Sequence, residues 1–544
     1  MCWCAPIATA PVAGGRFPPP SLRCRRRRGR SVRADASPEP VDTQRKKVAV
    51  AGAGWAGLAA AHHLVNTGLL SLLRGAGLLL LHSRSRFVAG HRARSHYPLV
   101  WAHSRRRNFL PKFVSFAVSF ETAVTNTHLP GYEVTLLGAE SGPTEEIGLR
   151  GFWYPYRNIF SLVDELGISP FTGWTKAAYY SSQGLAVEFP IFHDQPRLPA
   201  PFGMLTYPEF PSLPLIDRLT SIPVMAAVID FNNTDTAWMK YDAMSARDLF
   251  KMFGCSQKLY KEIFQPAIQV ALFAPGLKFH GNRVPTSLAI NKDTACISGI
   301  VCGEEVHEAD AFVLANGLSS LQYIIKNSPF LQSRQEFVNL LHLSTIDVVS
   351  IKLWFDKKIT IPKVANVCSG FDDPSGWTFF DLTSIYDDYA DKSTTIVEAE
   401  FYNASHLLPL NDEQIVSEAS SHLIKCIQDF EEATVIQQLV RRSPKSTMHF
   451  LPGSYKYTVR GSTTLTNLFI AGDWIVNRHG SFSKEKAYVT GLEAANRVVD
   501  YFGDGDFAKI IAVEEDEPHI ETARNLNRRA NELKTQIPFS EFFL

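Results

Sequence analysis

The sequence predicts an α/β fold with a parallel sheet, accompanied by a second, discontinuous α+β domain. Three observations predict it. A glycine-rich turn follows an apolar strand at 46–57, a second apolar strand begins near residue 132, and a third strand at 467–471 leads into Gly472 and Asp473 before a long helix. Because parallel strands need crossover connections, the helices after the first and third strands fit this fold class.

The glycine-rich turn has the pattern of a dinucleotide-binding site. Gly52, Gly54 and Gly57 have the spacing G-x-G-x-x-G between an apolar strand and an alanine-rich helix. The first glycine permits a tight turn, the second lets a pyrophosphate approach the backbone, and the third lets the helix pack closely on the strand. The helix N-terminus then offers free N–H groups to phosphate. A glycine-rich turn of another α/β protein is the alternative, but the flanking strand and helix favour the dinucleotide site.

The second strand does not follow the first helix directly. Residues 69–131 contain a single acidic residue, Glu121, and show no persistent apolar period. The strand that begins at Tyr132, with Glu140 beyond it, would supply the missing β-strand and the acid that a ribose hydroxyl needs. We therefore interpret 69–131 as an insertion, either untranslated sequence retained in the chain or a genuine basic loop that contacts lipid or a partner.

The third strand ends in a second candidate binding motif. Gly472 would allow close approach of a ligand, and Asp473 could accept hydrogen bonds from hydroxyl groups. The helix predicted at 485–501 would direct its N-terminus toward the same region. A Gly-Asp pair after a strand is weak evidence by itself, but it is strong evidence beside an N-terminal dinucleotide turn.

Composition excludes several other classes. The formal net charge of +1 favours no nucleic-acid partner, and the eight cysteines contain no C-x-x-C pair, so neither disulfides nor a zinc site are expected. No apolar run is long enough to span a membrane. The first 34 residues contain eight arginines and no acidic residue, which is the composition of an organelle transit peptide; its proline-rich stretch favours the chloroplast.

These motifs resemble the FAD-dependent amine oxidase and carotenoid desaturase superfamily, most closely the plant-type phytoene and zeta-carotene desaturases. Five stretches carry the resemblance: 48–68, 148–167, 241–275, 348–356 and 467–498. The terminal motifs are specific to the superfamily, and the middle ones point to the desaturase branch. The fold that the resemblance implies is an FAD-binding Rossmann-like domain with a discontinuous α+β substrate domain.

The resemblance implies that FAD binds noncovalently across both halves of the chain. Arg150 would follow the second strand, and Val284 would lie in a segment similar to the strand that reaches the adenine. The resemblance assigns no catalytic residue or metal ligand. The implied cofactor-binding residues are Gly52, Ala53, Gly54, Trp55, Ala56, Gly57, Glu140, Arg150, Val284, Gly472, Asp473, Glu485 and Ala487.

The sequence departs from the family pattern at three places. The second strand ends Leu-Gly-Ala at 137–139 where the family has Leu-Glu-Ala, so the ribose acid is out of register. The usual Glu-Gly-Ala near the flavin is Glu485-Lys486-Ala487, and a helical stretch of the substrate domain is missing after Gly276. An insertion at 69 and a deletion near 276 together suggest a mis-assembled or alternatively spliced form.

The domain boundaries follow from these motifs. Residues 1–45 are a predicted transit peptide and linker, and 503–544 a polar, solvated tail. The predicted FAD-binding domain comprises 46–68, 132–167, 277–330 and 462–502. The predicted substrate domain comprises 168–276 and 331–461, with a helix predicted to start at Ser245.

The resemblance implies FAD-dependent removal of hydride from an apolar polyene, with a quinone as acceptor. It places the protein in the plastid, soluble or in peripheral contact with a membrane. A flavin amine oxidase is one alternative function. The other is an inactive or mis-spliced remnant that holds no FAD.

Overall fold

The structure is a computed structural model, and it describes residues 46–67, 101–103, 132–137, 151–153, 156–168 and 171–536. The last range has gaps at 172, 197, 199–202, 204–205, 212, 232–233, 266–283, 372–375, 390–392 and 480–483. The predicted transit peptide, Glu140, Arg150 and nearly all of the predicted insertion lie outside the described residues.

The described chain alternates between strands and helices. The strands are β1 (Lys47–Ala51), β2 (Trp101–His103), β3 (Glu133–Leu137), β4 (Gly151–Trp153), β5 (Ala177–Ser181), β6 (Gly184–Phe189), β7 (Ser287–Asn291), β8 (Cys296–Cys302), β9 (Glu305–Glu308), β10 (Ala311–Leu314), β11 (Ser344–Phe355), β12 (Ala365–Cys368), β13 (Trp377–Asp381), β14 (Thr395–Tyr402), β15 (Val435–His449) and β16 (Leu468–Ile470).

The helices differ widely in length. They are α1 (Trp55–Asn66), α2 (Arg157–Glu165), α3 (Leu215–Leu219), α4 (Ile222–Asp230), α5 (Asp235–Asp242), α6 (Ala246–Met252), α7 (Gln257–Leu259), α8 (Leu318–Lys326), α9 (Pro329–Gln332), α10 (Gln335–Leu340), α11 (Leu382–Ile385), α12 (Asp412–Cys426), α13 (Lys484–Phe502) and α14 (Pro518–Gln536).

A four-stranded parallel sheet forms the centre of the first unit, so the predicted fold class is confirmed. Its strand order is β16-β10-β1-β3, and Val50 of β1 lies between Val313 of β10 and Leu136 of β3. Both faces of the sheet are covered, since one core cluster contains Ala49 and Phe312 and another contains Val48 and Val313. Such burial explains why β10 and β16 are entirely apolar, whereas the partly exposed strand β3 also carries Glu133 and Thr135.

The strand β3 pairs directly with β1, and α1 crosses between them. The sequence that separates α1 from β3 therefore does not interrupt the β-α-β unit. Within the predicted insertion, the short strand β2 pairs antiparallel with β4. A small antiparallel sheet, β7-β8-β9, precedes β10.

The second unit is built on a seven-stranded sheet with the order β15-β11-β14-β13-β12-β5-β6. All its pairings are antiparallel except that of β12 with β5. The alternation of side chains gives it two buried faces. One face packs on α12 through a cluster that contains Phe401 and Leu423, and the other joins a cluster that extends to Trp55 of α1.

The C-terminal segment packs on the rest of the chain at several points, although most of its described residues are exposed. Residues 503–517 lie along the parallel-sheet unit, and α14 packs on α4. Arg524 of α14 is buried and forms an ion pair with Asp516 at 2.7 Å. The predicted solvated tail is therefore wrong at these contacts, because backbone carbonyls and a buried ion pair produce no apolar pattern in the sequence.

No helix in the described parts of the chain is both long enough and apolar enough to cross a membrane.

Candidate cofactor site

The loops that follow the parallel strands are joined by backbone hydrogen bonds at one edge of the sheet. Gly52 donates to the carbonyl of Leu137 at 2.8 Å, and Ala315 donates to that of Ala51 at 2.7 Å. Ala471 donates to the carbonyl of Leu314 at 3.0 Å. The glycine-rich turn after β1 and the Gly-Asp pair after β16 therefore lie at the same sheet edge, which is where ligands bind in parallel α/β sheets.

The glycine-rich turn is packed too tightly for any other residue at two of its positions. A Cβ on Gly57 would lie 1.6 Å from the carbonyl oxygen of Gly52. A Cβ on Gly52, whose φ is +109°, would lie 2.3 Å from the oxygen of Ala315. Because the obstacles are backbone atoms that cannot move aside, glycine is required at both positions.

The N-terminus of α1 lies open at this edge. Gly54 is its N-cap and, as a glycine, has no side chain that could accept from the first-turn N–H groups. Gly52 and Gly54 are partly exposed, whereas Ala53, Trp55 and Ala56 are buried. The free N–H groups and the partial positive charge of a helix N-terminus favour an anion such as a pyrophosphate.

Trp55 links this turn to the rest of the unit rather than to solvent. Its ring makes edge contacts with Phe152, at a centroid distance of 6.0 Å, and with Tyr488, at 6.3 Å. Trp55, and Ala56 beside it, therefore serve to seat α1. We therefore expect the partly exposed glycines, Gly52 and Gly54, to contact a ligand directly.

The second motif is fastened to α13. Thr490 Oγ1 accepts a hydrogen bond from the backbone N–H of Gly472 at 3.0 Å. A Cβ on Gly491 would lie 2.1 Å from the carbonyl oxygen of Ala56, so α13 and α1 are in backbone contact there. The two sequence motifs are thus joined through this helix pair.

Asp473 is the one acid of the predicted cofactor set that lies at the sheet edge within the described residues. Loss of hydration raises its pKa to about 6, and the nearby ammonium groups of Lys486 and Lys484 oppose that rise. Both lysines are buried on the first turn of α13. The lysine that replaces the family's usual glycine therefore lies in the electrostatic environment of Asp473.

Both carboxylate oxygens of Glu485 are engaged by α2, which corrects the predicted role of this side chain in cofactor binding. Its carboxylate accepts hydrogen bonds from the backbone N–H groups of Asn158 at 2.8 Å and Ile159 at 3.0 Å. These groups belong to the first turn of α2, so Glu485 caps that helix. Burial raises the pKa of Glu485 to about 7, although the bonds from Asn158 and Ile159 oppose the rise. Ala487 is half-buried beside it on α13.

Val284 is not in a strand. It lies in the coil before β7, which begins at Ser287, and it is 51% exposed. The predicted contact of this segment with an adenine is therefore not supported by the local structure.

Asn316 is a candidate site residue that was not predicted from the sequence. It follows β10 next to Gly52, and its side-chain oxygen Oδ1 is buried without a hydrogen-bond partner in the structure. Its backbone carbonyl accepts from Trp474 Nε1 at 3.1 Å, which ties it to the second motif. The Ala-Asn-Gly that follows a buried strand at 315–317 is the signal that could have identified it.

The site residues fit a dinucleotide. The open helix N-terminus and glycine cradle suit a pyrophosphate, and the unpartnered Asn316 oxygen could accept from a hydroxyl or an amine. No cluster of three or more potential metal ligands occurs among the residues that the structure describes.

Comparisons with known proteins agree with this geometry. Residues 242–499 match the family model for flavin containing amine oxidoreductase. The chain is 21% identical over 429 residues to 15-cis-phytoene desaturase, chloroplastic/chromoplastic, of Capsicum annuum, with coverage of 68% of this chain and 72% of the relative. The chain resembles the flavin-containing amine oxidoreductases and, among them, the phytoene desaturases. The predicted family resemblance is therefore confirmed, and the chain is a flavin-dependent oxidoreductase by that resemblance.

A second relative and two solved structures are also similar. The 15-cis-phytoene desaturase of Synechococcus elongatus is 25% identical over 201 residues, with coverage of 36% of this chain and 41% of the relative. Cyclohexylamine oxidase of Brevibacterium oxydans has a TM-score of 0.44 and 11% identity over 85% of this chain and 100% of its own. An oxidoreductase of Methanosarcina mazei has a TM-score of 0.38 and 12% identity over 82% and 99%.

Proposed function

We propose that this protein is an FAD-dependent dehydrogenase that removes hydride from an apolar polyene and passes the electrons to a quinone. The observation that carries the proposal is that the glycine-rich turn and the Gly472–Asp473 pair meet at one edge of the parallel sheet. Bound flavin would supply the hydride-accepting chemistry. The similarity to proteins named 15-cis-phytoene desaturase supports the polyene as the substrate class.

The protein's own residues bind and orient the cofactor in this proposal. The backbone of Gly52 and Gly54 and the open N-terminus of α1 would hold the pyrophosphate. Asp473 would accept hydrogen bonds from ribityl hydroxyls, for which it must be ionised, and Lys486 favours that ionised state. The buried aromatic rings of Trp55 and Tyr488 would keep water away from the α1–α13 side.

We also propose a plastid location and peripheral contact with a membrane. The plant relatives are named as chloroplastic proteins. At 215–222, on α3 and the start of α4, four apolar side chains are 49–71% exposed: Leu215, Ile216, Leu219 and Ile222. This stretch directly follows the proline- and aromatic-rich sequence at 195–214, and an apolar polyene would have to be taken up from a membrane.

The first experiment tests flavin binding itself. The full chain is purified, incubated with FAD and freed of excess cofactor, and its visible spectrum is recorded. Bound flavin bands at about one FAD per chain are expected from the single dinucleotide turn. A chain that folds but retains no flavin would instead support the inactive-remnant alternative.

The second experiment separates the desaturase from an amine oxidase, which the name of the matched family model favours. The FAD-loaded protein is given phytoene in liposomes with a benzoquinone, and separately a panel of polyamines in air. New double bonds in the polyene together with reduced quinone support the proposal. Peroxide released from an amine, with no change in the polyene, would contradict it.

A further inference from the structure

The segment that follows α13 doubles back along the parallel-sheet unit. Gly503 and Gly505 have φ values of +67° and +103°, which reverse the chain direction. A Cβ on Gly505 would lie 2.2 Å from Thr67 Cγ2, so the segment closely approaches the end of α1. We refer to residues 503–517 as the strap. The strap lies beyond the matched family region, which ends at residue 499.

The strap contacts the proposed flavin-binding unit at four places around the α1–α13 pair. The carbonyl of Asp504 accepts from Tyr132 at the start of β3, and that of Asp506 lies 2.8 Å from His63 Nε2 of α1. Asn496 of α13 bonds both the N–H and the carbonyl of Ala508, at 2.6 and 3.2 Å. The carbonyl of Ile511 lies 3.0 Å from His479 Nε2, close behind the Gly472–Asp473 motif.

One side chain joins the strap to the first turn of α13. Asn158 Oδ1 accepts from the N–H of Ile511 at 2.7 Å, while Asn158 Nδ2 donates to the carbonyl of Ile511 at 3.0 Å. The same Nδ2 donates to Glu485 Oε1 at 2.7 Å. Both amide hydrogens of Asn158 and its oxygen are thus engaged in buried hydrogen bonds, a pattern that requires an amide at this position.

The far end of the strap is anchored to the other unit. Asp516 pairs with Arg524, and both side chains are almost fully buried. Arg524 Nε also donates to the carbonyl of Ile229 in α4 of the predicted substrate domain, at 2.8 Å. A hydrogen-bonded, buried pair of this kind is costly to break, so the strap is held at both ends.

We propose that the strap fixes the two cofactor motifs and the substrate domain in one arrangement, and that Asn158 is the positioning residue through which it acts on the flavin site. The inference rests on the proposed function, because the cofactor it positions is FAD. Asn158 touches Glu485, and Glu485 lies in the first turn of α13, the helix that carries Lys486 and Thr490. Loss of the Asn158 contacts therefore loosens the α13 first turn, which flanks Asp473.

The test is the near-isosteric change Asn158→Asp. The new carboxylate lacks the donors for Glu485 and Ile511 and repels Glu485. We expect the dissociation constant for FAD, measured by quenching of flavin fluorescence, to rise at least about tenfold, with a shifted flavin absorption band. Asn327→Asp is the matched control, since Asn327 makes one exposed hydrogen bond, to Tyr323, and its variant should bind FAD normally.

A second variant and a second measurement cover a failure to fold. In Asn158→Asp/Glu485→Gln the new glutamine amide can donate to the new carboxylate, so FAD affinity should partly recover. Hydrogen exchange of α1 and α13 should be faster in Asn158→Asp than in the wild type, even without FAD. Unchanged affinity and exchange in Asn158→Asp would overturn the strap proposal, whereas a wild-type chain that binds no FAD would overturn only the proposed function.

Discussion

The N-termini of α1 and α2 lie in the same unit but differ in how their first-turn N–H groups are capped. Neither helix has a side-chain cap from its own N-cap residue, Gly54 or Tyr156. At α2 the carboxylate of Glu485 accepts from two first-turn N–H groups, whereas the N-terminus of α1 lies open at the sheet edge beside partly exposed glycines. Both helix termini favour an anion for the same electrostatic reason.

The difference indicates what each terminus is for. At α2 the protein supplies the carboxylate itself, so that N-terminus is structural. At α1 the N-cap is a glycine, and we expect its N-terminus to bind a phosphate. This explains why Glu485, which the resemblance placed near the flavin, has a structural contact in the described chain. It also separates the residues that hold the fold from those that would hold a cofactor.

The largest effect is expected from closing the α1 turn with a side chain. Gly57→Val places a Cβ where the carbonyl of Gly52 now lies. Because the clash is with backbone, we expect a destabilisation of at least about 4 kcal/mol and no measurable FAD binding. Urea unfolding and the flavin spectrum measure the two effects. Gly173→Ala, whose Cβ would meet no atom within 4 Å, is the control and should behave as the wild type.

The next largest effect concerns the capped terminus of α2 and its pH dependence. The folded-state pKa of Glu485 is about 7, above its ordinary value of 4.5, so the folded state binds a proton more tightly than the unfolded state between these values. Its contribution to the free energy of unfolding is therefore present at low pH and is lost as pH rises from about 4.5 to 7. The loss amounts to about 3 kcal/mol.

Glu485→Gln should remove this component. The stability difference between variant and wild type, from urea unfolding at pH 4.5 and pH 8, should shift by about 3 kcal/mol in favour of the variant at the higher pH. Glu432→Gln alters a side chain that is 84% exposed and should show no such shift. Parallel pH profiles for wild type and Glu485→Gln would contradict a raised pKa of Glu485 in the folded state.

Capping the N-terminus of α1 with a carboxylate should stabilise the FAD-free chain and weaken its binding of FAD. Gly54 has φ −79° and ψ −174°, a conformation that an N-cap aspartate adopts readily. Gly54→Asp should stabilise the FAD-free chain by about 0.5–1 kcal/mol, since its carboxylate would accept from first-turn N–H groups.

The same carboxylate would repel a pyrophosphate, so FAD affinity should fall at least about tenfold. Thermal unfolding without FAD and fluorescence titration with FAD measure the two effects on one protein. Gly54→Asn is the control, because it can cap without adding charge. Unchanged FAD affinity in Gly54→Asp would mean that the phosphate does not bind at α1.

Much of the parallel-sheet unit could be predicted because its signals are local. The spacing of Gly52, Gly54 and Gly57 reflects contacts within a single turn, and the apolar strand at 467–471 reflects burial on both sheet faces. The strand at 132–137 is partly exposed, and its signal is the apolar run near its end. Pairing β1 with β3 across the intervening sequence required only that the second strand be recognised as the next member of a β-α-β unit.

The failed predictions depend on contacts between distant parts of the chain. Glu485 caps a helix 327 residues earlier, so no local pattern shows the direction of its carboxylate. The strap binds mainly through backbone groups, which every residue carries, and its polar side chains therefore resembled a solvated tail. Asn316 was missed because a buried amide without a partner differs from a turn residue only in its three-dimensional surroundings.

A third helix N-terminus, that of α6 in the substrate domain, gives the smallest expected effect. Ser245 was predicted to start this helix, and its Oγ accepts from the N–H of Asp248 at 3.1 Å. Ser245→Ala should lower the free energy of unfolding by about 1 kcal/mol, the usual value of an N-cap hydroxyl. FAD affinity should not change, because this terminus already has its acceptor and lies in the other unit. A loss of FAD affinity in Ser245→Ala would mean that capping at any helix, rather than the open terminus of α1, governs cofactor binding.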